Sequence, residues 1–180
     1  PIFLTQLLTI AWLMGALVLA LRYASFSGRV SAELPAAAQN RLVLLGALAG
    51  AIVIIVAAGL PNSLPSPQRL LGYLGFALIQ QFLLQRVLLR ALLDSFSQSF
   101  AILLAALMFA LWHSPNITLM LACFVSAIYA TALHIRGVDW LRLALLHALL
   151  GTLLVMCFPT SALKNAEVGS RHFTLDGSVR

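Results

Sequence analysis

The sequence predicts an all-α protein, a polytopic transmembrane bundle of about six helices. Of its 180 residues, 62% are hydrophobic and 9% are charged, whereas a soluble domain carries about 25% charged residues. Its apolar runs approach the roughly 20 residues that cross a bilayer as a helix. The strict apolar and polar alternation of an outer-membrane barrel is absent from the sequence. Length and composition therefore indicate membrane helices.

Five apolar runs have about the length of a membrane span, and a sixth is shorter. In chain order the runs are Ile2–Leu21, Leu42–Leu60, Leu70–Leu89, the shorter Phe100–His113, Ile117–Leu133 and Leu141–Phe158. We expect residues 1–69 to form two N-terminal membrane helices with their loops, residues 70–158 a four-helix core, and residues 159–180 a polar tail.

Capping residues mark the expected helix starts. The candidate N-caps are Ser66 for the third helix, either Ser97 or Ser99 for the fourth, and Asp139 for the sixth. Ser114 precedes a proline, which disfavours the helical conformation, so the fourth helix is expected to end there.

The fourth helix is short for a membrane span. From Ser97 to His113 it would extend about 25 Å, which predicts that the turn after it lies below the membrane surface. Irregular backbone at that depth is tolerated only against protein or a water-filled cavity. We therefore expect His113 to line such a cavity.

The positive charges predict an orientation. The formal net charge is +6, and six arginines fall on one side of the membrane if the helices alternate: Arg22, Arg29, Arg41, Arg90, Arg136 and Arg142. By the positive-inside rule that side is cytoplasmic. No basic patch interleaved with aromatic residues suggests nucleic-acid binding.

Polar residues interrupt the third apolar run. Gln80, Gln81, Gln85 and Arg86 lie within it, and polar groups inside a membrane are costly enough to require a partner or a function. At 100° per residue, Gln81 and Gln85 lie about 40° apart, flanked by Gln80 and Arg86. The glutamines are therefore expected to face the bundle interior.

Two other helices carry a histidine on one face. Phe109 and His113 are four residues apart, as are His147 and Gly151, so each pair shares a helix face. Taken singly, these residues are typical of hydrogen bonds that hold membrane helices together, at roughly 0.6 to 2 kcal/mol each.

Taken together, the order and spacing resemble the CPBP family of intramembrane proteases, which includes CAAX prenyl endopeptidases and bacteriocin-processing proteins. That family has motifs E-E-x-x-x-R, F-x-x-x-H and H-x-x-x-N on three helices. Here the first motif is Gln80-Gln81-Phe82-Leu83-Leu84-Gln85, with the arginine either displaced to Arg86 or lost. The second is Phe109 to His113, and the third begins at His147 with Gly151 at the asparagine position.

The departures from these motifs affect the chemistry that the resemblance implies. In the family, a motif glutamate activates a water molecule, and the two histidines assist. A glutamine amide cannot accept the proton that a general base must take. Two histidines also leave the usual three protein ligands of zinc incomplete. The resemblance therefore predicts a pseudoprotease that binds a membrane partner, peptide or lipid without cleaving it, with no cofactor.

The predicted site has two groups of residues. The motif positions, catalytic in the family, are Gln80, Gln81, His113 and His147. The expected binding residues are Gln85, Arg86, Phe109, Asn116 and Gly151.

Two alternatives remain open at this point. One is an active intramembrane endopeptidase that processes prenylated or leader peptides, with a histidine as base and zinc as its possible metal. The other is an accessory subunit of a respiratory or photosynthetic membrane complex, in which His113 and His147 could ligate a haem or pigment. Expected partners are membrane lipid, a transmembrane helix or such a peptide, and no nucleic acid. The expected location is a bacterial inner membrane.

Overall fold

The computed structural model describes residues 34–61 and 65–158 of the chain. The predicted first helix, Ile2–Leu21, and the predicted tail, 159–180, lie outside the described residues, as do Arg22 and Arg29. Within the described residues the protein is all-helical and contains no strand.

Five helices make up the described part of the chain. They are α1 (Ala36–Ala58), α2 (Pro67–Leu93), α3 (Gln98–Leu111), α4 (Ile117–Ile135) and α5 (Trp140–Cys157). They correspond to five of the six predicted runs. The largest difference is at α1, which begins at Ala36 rather than Leu42, because Pro35 precedes three alanines and alanine strongly favours the helix.

The starts of α2, α3 and α5 agree with the predicted positions, but the predicted caps do not all form. Ser66 caps α2, because its hydroxyl accepts the backbone N–H three residues later at 3.4 Å. Ser97 and Asp139 precede α3 and α5 without a side-chain capping hydrogen bond. At α4 the cap is Asn116, whose Oδ1 accepts the N–H of Leu119 at 3.1 Å.

Four of the five described helices are long and apolar enough to cross a membrane, and α3 is the exception. It has 14 residues, which is about 21 Å and shorter than predicted. His113 and Asn116, in the turn that follows it, are both buried. These two side chains are therefore enclosed by protein, whereas Ser114 between them is exposed.

The helices pack as two groups, and α2 contacts both. Helix α5 packs against α1 and α2, and α3 packs against α4. Three fully buried alanines of α3, Ala101, Ala105 and Ala106, allow close approach of neighbouring helices, as small residues do in membrane proteins. Many leucines point outward from the bundle, where lipid is their expected neighbour.

The contacts also fix helix directions. Tyr73 and Phe82 of α2 face His147 and Trp140 of α5, respectively, so these two helices are antiparallel. The start of α1 meets the start of α5, where Arg142 donates to Asn40 at 3.0 Å. The side of the membrane that this end faces stays a prediction.

Candidate functional site

The middle of α2 carries the three glutamines on its buried side. Gln80, Gln81 and Gln85 are 6%, 2% and 1% exposed. The backbone changes from α-helix to π-helix at Leu83–Leu88, a segment that the sequence pattern did not predict. Single π turns within α-helices are frequent at functional sites. Arg86, in the same segment, is exposed, so the structure does not bring this predicted binding residue into the site.

Gln80 binds His113 on the second motif. The Gln80 Nε2 and His113 Nε2 atoms are 3.2 Å apart, and His113 Nδ1 lies 2.9 Å from the carbonyl oxygen of Phe109. A carbonyl can only accept, so Nδ1 of His113 carries the proton. The Nε2 lone pair then accepts from the Gln80 amide, and His113 is neutral with both ring nitrogens hydrogen-bonded.

Gln81 binds His147 on the third motif. Gln85 Nε2 donates to Gln81 Oε1 at 3.1 Å, which leaves the Gln81 amide nitrogen 3.3 Å from His147 Nδ1. Because an amide N–H donates, His147 accepts at Nδ1 and carries its proton on Nε2. The three side chains thus form a directional chain that also keeps the imidazole neutral.

Aromatic rings hold the two histidines in place. The ring of His147 stacks on Tyr73, with centroids 6.3 Å apart and an interplanar angle of 19°, and meets Phe109 edge-on at 5.8 Å. Phe109, which is fully buried, also contacts the ring of His113 at 5.1 Å. Phe109 therefore connects the second and third motifs.

Tyr73 occupies the space beside Gly151. A Cβ atom at Gly151 would overlap the Tyr73 hydroxyl and lie 2.7 and 2.8 Å from its ring atoms Cζ and Cε1. The phenol therefore fills the volume in which a side chain at Gly151 would begin. Sequence reasoning missed Tyr73, although its position two helical turns before Gln80 and Gln81 places it on the same face.

The structure brings most of the predicted site residues together. The cluster contains Gln80, Gln81, Gln85, Phe109, His113, His147 and Gly151. Asn116 lies three residues beyond His113 and serves as the cap of α4.

The cluster does not fit a metal ion. Among the described residues no group of three or more histidine, cysteine, aspartate or glutamate side chains could hold one, and zinc usually takes three protein ligands even at an open site. The ring nitrogens that His113 and His147 turn towards the glutamines of α2 already accept amide hydrogens.

Two acceptors in the cluster have no partner. The Oε1 atoms of Gln80 and Gln85 are buried and make no hydrogen bond. Arg86, which follows Gln85, and Asp94, at the end of α2, are exposed, and Arg90 is half-buried. The site is thus a neutral, buried hydrogen-bonding centre with unsatisfied acceptors.

Comparison with known proteins identifies the family. The family model described as "Type II CAAX prenyl endopeptidase Rce1-like" matches residues 62–153, a range that contains every residue of the cluster. No curated protein and no solved structure matches the chain. The family match confirms the predicted resemblance and, with the long apolar helices, indicates an integral membrane protein. The chain therefore belongs to the Rce1-like family of type II CAAX prenyl endopeptidases.

Proposed function

We propose that this protein is a non-cleaving member of its family, which binds a membrane partner at the glutamine and histidine cluster. The observation that supports this most directly is the direction of the hydrogen bonds. The amides of Gln80 and Gln81 donate to the ring nitrogens of His113 and His147. A general base needs a free lone pair within reach of a water molecule, and these lone pairs are already engaged.

A glutamate at position 80 would reverse the first of these bonds. A carboxylate only accepts hydrogen bonds, so His113 would have to carry a proton on Nε2. Its Nδ1 proton is held by the Phe109 carbonyl, and the ring would then be an imidazolium paired with a carboxylate. Gln80 replaces that ion pair with a neutral contact, which removes the proton acceptor and keeps the geometry.

The unpartnered oxygens indicate the chemistry of the ligand. A buried acceptor without a hydrogen bond costs about 1–3 kcal/mol, so Gln80 Oε1 and Gln85 Oε1 favour a bound molecule that donates. Peptide N–H groups and lipid hydroxyls are such donors, and both occur at membrane depth. The partner that we propose is therefore a transmembrane helix, a prenylated or leader peptide, or a lipid. The proposed location is a bacterial inner membrane.

The test is to measure binding and cleavage in the same preparation. Purified protein in nanodiscs is incubated with a fluorescent farnesylated C-terminal peptide and, separately, with a leader peptide. We expect binding without cleavage, and we expect the double variant Gln80→Glu and Gln81→Glu to gain cleavage. The matched control is Gln68→Glu, the same change at an exposed position of α2, which should gain none. Cleavage by the unaltered protein that is lost in His113→Ala would show an active protease instead.

A further inference from the structure

A groove runs between α1 and α5, on a different face of α5 from the histidine cluster. Its volume is about 420 Å³. Its walls are Asn40, Val43, Leu44 and Ala47 from α1 and Arg142, Leu145, Leu146 and Leu149 from α5. Each wall spans eight residues, about 10 Å along the helix.

One end of the groove is polar and positively charged. The Arg142 guanidinium donates to Asn40 Oδ1 at 3.0 Å and to Gln39 Oε1 at 3.4 Å. Both acceptors are neutral amide oxygens, so they orient the guanidinium without compensating its charge. Arg41, next to Asn40, is exposed at the same end of the bundle.

The rest of the groove is apolar. Leu44, Leu145 and Leu149 are more than half exposed, and they continue from the polar end towards the middle of the two helices. A cationic end followed by an apolar channel is complementary to a phospholipid, whose anionic headgroup is joined to apolar acyl chains.

We propose that this groove binds an anionic phospholipid, with the headgroup phosphate on Arg142 and an acyl chain along the leucines. An arginine fork matches the geometry of phosphate oxygens and can contact two of them at once. Gln39 and Asn40 hold the fork at the groove entrance, which reduces the side-chain freedom lost on binding. This proposal is independent of whether the histidine cluster cleaves a substrate.

The experiment compares two lipids bound to the full chain. Protein purified in mild detergent is equilibrated with equal amounts of palmitoyl-oleoyl phosphatidylglycerol and phosphatidylcholine, and the adducts are counted by native mass spectrometry. We expect the unaltered protein to prefer phosphatidylglycerol. Arg142→Ala should lower that preference about five-fold, the factor that corresponds to about 1 kcal/mol per basic residue near an anionic lipid.

Two further variants separate the groove from general charge effects. Arg69→Ala removes the same charge at the start of α2, at the opposite end of the bundle from Arg142, and it should leave the lipid preference unchanged. Ala47→Trp fills the groove without changing the charge, and it should remove the phosphatidylglycerol adduct. Should Arg142→Ala not fold, Arg142→Gln tests the same loss of charge.

The proposal is overturned if Arg142→Ala or Arg142→Gln retains the full preference, or if the adduct survives in Ala47→Trp. It is also overturned if Arg69→Ala lowers the preference equally, since general electrostatics would then explain it. A dimer that Ala47→Trp dissociates would assign the groove to a second copy of the chain.

Discussion

Replacing Gly151 by alanine tests the contact that closes the site beside His147. The added Cβ would lie within 3 Å of the Tyr73 hydroxyl and ring. Tyr73 cannot turn aside without losing its stack on His147. Overpacking of this kind typically costs about 1–3 kcal/mol.

The matched control is Gly75→Ala, because nothing lies within 4 Å of a Cβ at that position. Both glycines are inside helices, so the gain in helix propensity, up to about 1 kcal/mol, is similar in the two variants. The free energy of unfolding in detergent, measured by titration with sodium dodecyl sulfate, should therefore be about 1–3 kcal/mol lower for Gly151→Ala than for Gly75→Ala.

Changes at Tyr73 identify the atoms responsible. Tyr73→Phe removes the hydroxyl, but ring atoms at 2.7 and 2.8 Å remain, so it should relieve only part of the cost of Gly151→Ala. Tyr73→Ala should abolish it, which a double-mutant cycle would show as a favourable coupling between the two changes. Equal stability of Gly151→Ala and Gly75→Ala would refute the reasoning.

Two further predictions concern stability. Phe109→Ala should lower the free energy of unfolding by about 3–5 kcal/mol, because Phe109 is fully buried. The control is Phe100→Ala, which removes a half-exposed ring. A similar loss of stability in both variants would contradict the prediction for Phe109. Asn116→Ala should cost about 0.5–2 kcal/mol through loss of the α4 cap, measured in the same way. Ser97→Ala should change little, since Ser97 makes no capping bond, and an equal effect of both variants would argue against the cap.

The helices were predictable because their apolar length is encoded locally. Ser66 followed by Pro67 marks the start of α2 in both the sequence and the structure. The spacing of four between Gln81 and Gln85 places both on one face, and both are buried. These features depend on neighbours along the chain, which a sequence displays directly.

The remaining features depend on the backbone or on distant packing. The 100° rule placed Arg86 at the edge of the glutamine face, and its side chain is exposed. The sequence pattern also did not predict the π-helix at Leu83–Leu88. No composition signal marks that segment. The contact between Tyr73 and Gly151 joins α2 and α5. It depends on how these two helices pack, which the sequence does not display.

The π-helix has a consequence for insertions and deletions during evolution. A π turn holds one residue more than the α-helical turn it replaces. Deleting one residue from Leu83–Leu88 would remove that extra residue and restore the α-helix, with little rotation of the residues after it. The part of α2 before the deletion, with Gln80 and Gln81, and the part after it, with Arg90, would both keep their present neighbours. A relative one residue shorter here would therefore present the same two halves of this helix to the bundle and differ only in the turn that carries Gln85 and Arg86.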